Sequence, residues 1–120
     1  MSRQVKHETG IEVKNTECLD EAIEETAKEM GGRVVDQVRY HAGKAKGIMV
    51  GHHCVAVEVV HGKVVLSGED YTVENKEFRT RLEKLLKKNY TTAAYTRVAR
   101  RCGFREIKVS HGRSNVIVGV

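Results

Sequence analysis

Residues Asn75 to Gly103 read NKEFRTRLEKLLKKNYTTAAYTRVARRCG, and how this stretch folds decides how the rest of the chain is arranged. At helical spacing Phe78, Leu82, Leu85, Leu86, Ala93, Ala94, Val98 and Cys102 recur at intervals of mainly three or four. That spacing predicts an amphipathic helix with one apolar stripe turned to a core. Gly103 stands where a helix takes its left-handed C′ residue, and Arg100 and Arg101 lie in the last turn, at the negative end of the helix dipole. Asn89, Tyr90, Thr91 and Thr92 are weak helix formers, so the stretch reads either as one bent helix or as two.

Lys76, Arg79, Arg81, Lys84, Lys87, Lys88, Arg97, Arg100, Arg101 and the following Arg105 set ten cations against only Glu77 and Glu83. The whole chain of 120 residues carries a formal charge of +5, so the excess is concentrated in this segment. A pI of about 9.2 favours anionic partners such as nucleic acid, nucleotides, acidic proteins or lipid headgroups. The same cations also serve as a solvated helix face, a role that needs no partner.

A chain of this length forms one domain, 1–120, with enough residues to bury a core without metals or disulfides. Cys18, Cys54 and Cys102 are odd in number, widely spaced and set in apolar patterns, which reads as reduced thiols at core positions of a cytoplasmic protein. No apolar run approaches the ~18 residues of a membrane span, and the N-terminus has no secretory h-region.

Before the basic segment, Arg3 to Val13 read as a strand interrupted near Gly10. Asn15 or Thr16 caps a helix with Leu19, Ala22, Ile23, Thr26, Ala27 and Met30 on one side and Glu21, Glu24, Glu25 and Glu29 on the other, ending at Gly31-Gly32. Strands follow at Arg33–Tyr40, Ile48–Val50, His53–Val60 and Lys63–Ser67, the last two joined by a His61-Gly62 hairpin turn. Beyond Gly103 a hairpin over Arg105–Ser110 and Val116–Val120 closes the sheet. Hairpin-linked strands with helices before and after them predict an α+β domain: a mainly antiparallel sheet of five to six strands, with an N-terminal helix and a long or broken C-terminal basic helix on one face.

Three clusters carry candidate chemistry. Lys44 and Lys46 lie between Gly43 and Gly47, where backbone amides approach an anion, but the loop lacks Walker spacing and opens no helix. His52-His53-Cys54 offers metal-ligand types, yet adjacent strand residues point to opposite faces and no CxxC or HxxxH pair accompanies them, so no metal site is assigned. The third is the basic segment itself. Arg79, Arg81, Lys84, Lys87, Lys88, Arg97, Arg100 and Arg101 can neutralise phosphates while Tyr90 and Tyr95 stack on bases or, alternatively, anchor the helix. No helix-turn-helix, ribonucleoprotein or zinc-finger pattern is present, which points to charge- or shape-driven binding.

HETGIEVKNTECLDEAIEETAKEMG near the N-terminus and RLEKLLKKNYTTAAYTRVARRCGF near the C-terminus resemble the two ends of an uncharacterised family, domain of unknown function 1257, found in cyanobacteria, red-algal plastids, other bacteria and phages. Between those ends the chain departs from the family in having no tryptophan. The resemblance implies a fold and a cytoplasmic, plastid or phage setting; it implies no reaction, cofactor or site residue.

The expected function is that of a non-enzymatic binding protein for an anionic partner, nucleic acid or nucleotide, with no cofactor and no catalytic residue assigned. Two alternatives stand beside it. One is a homo-oligomer in which the acidic helix of one copy meets the basic helix of another. The other is a small-ligand enzyme using the region from His41 to Cys54.

Overall fold

Glycine-punctuated apolar runs become strands, and the two amphipathic stretches lie across them. In the computed structural model, which describes residues 3–36, 46–103, 106–110 and 115–119, the order is β1 (Gln4–Glu12), α1 (Thr16–Glu29), β2 (Arg33–Val35), β3 (Gly47–Val50), β4 (His53–Val60), β5 (Lys63–Glu69), α2 (Asp70–Val73), α3 (Lys76–Arg101), β6 (Glu106–Ser110) and β7 (Asn115–Gly119). Five strands form an antiparallel sheet in the order β1-β5-β4-β3-β2. His61 and Gly62 both take positive φ, 51° and 77°, between the paired Val60 and Lys63, as a two-residue hairpin turn following the right-handed strand twist requires.

One sheet face presents Ile48, Val55, Val57, Val64 and Leu66 to Leu19, Ala22, Ile23 and Ala27 of α1 and to Leu82 and Leu86 of α3, and all of these are buried. Asn15 caps α1 by accepting the N–H groups of Glu17 and Cys18 at 2.9 and 3.2 Å. At its other end Gly31 (φ 72°) and Gly32 return N–H bonds to Lys28 and Ala27, closing a Schellman motif. Gly32 has a second constraint: a Cβ there would lie 2.2 Å from the Met49 carbonyl oxygen of β3. The exit from α1 therefore packs backbone to backbone on the sheet.

One open alternative is resolved, and several expectations are corrected. The basic segment is one continuous helix, α3, capped by Asn75, whose side chain accepts from Phe78 N–H, and ended by Gly103 at φ 84°. Its apolar stripe does not reach the end: Val98 is 58% exposed and Cys102 is exposed, while Asn89 and Ala99 are buried instead. On a straight α-helix of 3.6 residues per turn, each successive step of four overshoots a full turn by about 40°, so the run Ala94, Val98, Cys102 rotates out of the stripe set by Leu82 and Leu86. Only Cys18 of the three free thiols is a core residue; Cys54 is half-buried. β2 stops at Val35 with Asp36 in a bend, and the remainder of the strand expected to Tyr40 lies outside the described residues. Strand β1 continues through Gly10, but its register shifts between Glu8↔Val65 and Glu12↔Lys63. Across this bulge the Thr9 hydroxyl donates to the Val64 carbonyl at 2.7 Å and accepts from Ile11 N–H, restoring bonds the ladder loses. Finally, β6 and β7 pair with each other as a separate two-stranded hairpin and do not join the five-stranded sheet, since an antiparallel pair needs only its own neighbour to form.

Candidate anion-binding surface

α3 runs antiparallel to α1, and its cations divide by which way they point. Toward α1, Arg97 donates to Glu17 at 2.5 Å and to Glu21 at 3.4 Å, and Lys88 Nζ lies 2.8 Å from Glu29. The acidic and basic helices thus meet within one molecule. Arg79 donates to the Val73 carbonyl at 3.2 Å, tying α3 to the end of α2. Arg81, Lys84, Lys87, Arg100 and Arg101 are exposed, and among the described residues none has a carboxylate within ion-pair distance.

Arg81, Lys84 and Lys87 lie on the side of α3 away from the core. Lys84, Lys87, Thr91 and Tyr95 follow at steps of three or four, one row on the helix surface. Tyr95 is 40% exposed in this row. From Arg81 to Arg101 the helix rises about 30 Å at 1.5 Å per residue. Tyr90 has a different role: its hydroxyl accepts the N–H groups of Lys14 and Asn15 at 2.9 and 3.3 Å, holding the entry to α1 against α3. It is an anchor. Lys46 lies 3.5 Å from Asp20, and Lys44 falls outside the described residues.

Between the helices runs a groove of about 450 Å³, walled by Glu21, Glu25 and Glu29 on one side and Lys88, Thr92, Thr96 and Arg100 on the other. Asn89 lies at its base and donates to the buried Thr26 hydroxyl at 3.0 Å. The sequence pattern does not single out Asn89, because a polar residue on a helix reads as solvent-facing until its partner on a second helix is known.

His52 and His53 do not diverge as neighbours on a strand would. His52 sits in the tight turn after Gly51, so its ring lies 4.3 Å from that of His53, with Tyr71 and Phe78 against the pair at 5.7 and 4.9 Å from His53. His53 Nδ1 is 2.8 Å from the Thr72 hydroxyl. Burial, and then the charge of His52, lower the pKa of His53 and so favour its neutral ring. Burial outweighs the opposing pull of Arg33 and, with Glu69, pushes the Cys54 thiol upward. Cys54 is thus a protonated thiol, a poor nucleophile. Among the described residues no three His, Cys, Asp or Glu side chains converge as a metal ion would require, and no helix is long and apolar enough to cross a membrane. No protein-family model, no curated protein and no solved structure matches the chain.

Proposed function

We propose that the protein is a non-enzymatic binding protein for a phosphate-bearing polyanion, nucleic acid first, which it contacts through the outer face of α3. One observation carries the reading: α3 satisfies Lys88 and Arg97 against α1 and leaves Arg81, Lys84 and Lys87 exposed and, among the described residues, without an ion-pair partner, on the same outer side of the helix as Tyr95. Exposed cations in a row neutralise successive phosphates with little desolvation cost, and an exposed tyrosine among them offers a ring to an unpaired base. Helix-to-helix assembly between copies is less well supported, because the acidic face of α1 already meets α3 of its own chain.

The test is fluorescence anisotropy with labelled single- and double-stranded DNA and RNA across a salt series. Binding is expected to weaken with salt at a slope of about −0.7 to −0.9 per phosphate contacted. The triple variant Arg81→Glu/Lys84→Glu/Lys87→Glu is expected to reduce the slope by roughly two to three contacts, and Lys88→Gln, which removes a cation already held by Glu29, to change it far less. Absence of binding at low salt, or a triple variant that binds like wild type, would remove the proposal.

A further inference from the structure

β1 is an edge strand, with β5 on one side and, among the described residues, no strand on the other. The Arg3 carbonyl accepts Asp70 N–H at 2.8 Å, and Gln4↔Glu69, Val5↔Gly68, Lys6↔Ser67 and His7↔Leu66 follow in register. In an antiparallel ladder bonded and outward-pointing residues alternate along the strand. Arg3, Val5 and His7 therefore bond to β5, while Gln4, Lys6 and Glu8 turn their backbone N–H and C=O groups to the open edge. Those three residues are exposed, and the bulge that distorts the edge begins only after Glu8. Among the described residues the regular stretch 4–8 is left unpaired on this side, the kind of edge that can add a strand from another chain.

We propose that this edge pairs antiparallel with the same edge of a second copy, about a two-fold axis through His7. In that register Lys6 faces Glu8 of the second copy and Glu8 faces its Lys6, at the positions whose backbone groups are free to bond. Opposite charges directly across a ladder, about 5.5 Å apart at Cα, favour pairing, and like charges oppose it. Other registers lose this match. Centring on Lys6 sets lysine against lysine, centring on Glu8 sets glutamate against glutamate, and centring on Val5 leaves Glu8 without a partner. The His7-centred register keeps Lys6, His7 and Glu8 of each copy in regular pairing and brings Val5 and Gln4 opposite Thr9 and Gly10, where the bulge begins. Among the described residues Lys6 is held within its own chain only by Glu58, at 3.9 Å, and it is 63% exposed, which lets it reach across. The result is an isologous dimer with one continuous sheet of ten strands, twice the five of a single chain.

Sedimentation equilibrium of the intact chain from about 1 to about 500 μM tests this. A concentration-dependent dimer is expected. Glu8→Lys and Lys6→Glu each turn two attractive pairs repulsive and are each expected to weaken the dimer roughly tenfold, whereas the double variant Lys6→Glu/Glu8→Lys restores both pairs and wild-type affinity. Circular dichroism checks that each variant folds. Should Lys6→Glu unfold through its new neighbour Glu58, Glu8→Lys decides alone, since among the described residues Glu8 has no ion pair to lose. A monomer throughout the range, undiminished dimerisation of Glu8→Lys, or a folded double variant that stays dissociated overturns the proposal.

Discussion

Cys18, Cys54 and Cys102 share one chemistry and differ in where the fold puts them. Cys18 is 1% exposed under α3, Cys54 is half-buried beside Arg33 with its thiol pushed toward the protonated form, and Cys102 closes α3 in the open. Thiolate fraction and access set alkylation rate. Under native conditions at neutral pH, timed iodoacetamide labelling read by peptide mass is expected to modify Cys102 first, Cys54 much more slowly and Cys18 only on unfolding. Labelling of Cys54 as fast as Cys102 would mean that its surroundings activate the thiol, and would reopen a reactive role for that strand.

Two helices lock together through one buried polar contact, Asn89 to Thr26, and its worth can be separated from the packing around it. Thr26 is 0% exposed, so Asn89→Ala leaves its hydroxyl without that donor and is expected to cost about 1–3 kcal/mol in urea unfolding. Replacing both groups by apolar ones, Thr26→Val with Asn89→Leu, is expected to recover most of that loss; strictly additive losses would show the contact has no special weight. The elements themselves were legible. Asn75 and Gly103 mark the ends of α3, the His61-Gly62 turn sets the β4–β5 hairpin, and valine alternation marks the central strands. What the sequence pattern did not disclose were relations between elements: that Arg97 spends its charge on Glu17, that Tyr90 anchors the entry to α1, and that β6 and β7 pair apart. Periodicity records whether a residue faces something apolar, and it carries no record of which surface lies opposite. The outward turn of Val98 belongs to the same class, since helical drift over many turns is larger than a stripe drawn by eye allows.

At the scale of the molecule, the fold sets helices, strands and turns so that the end of the sheet nearest α2 holds a ring cluster whose state follows pH. His53 packs against His52, Tyr71 and Phe78 and sits 2.8 Å from Thr72. Its pKa is lowered by burial first and by His52 second, so the folded state prefers the neutral ring more than the unfolded chain does. The unfolded chain then binds more protons as pH drops, and stability falls with it. The contribution is complete above the unfolded histidine value of about 6.5, declines as pH passes below it, and is fully lost once pH reaches the lower folded value. Thermal melts of wild type and His53→Phe, which keeps a ring against Tyr71 and Phe78 but cannot titrate, test this between about pH 7.5 and about pH 5.5. Wild type is expected to lose more melting temperature over that range than the variant, although the variant starts lower for want of the Thr72 contact. Equal slopes in the two proteins would show that His53 is not linked to folding and that any acid sensitivity arises elsewhere in the chain.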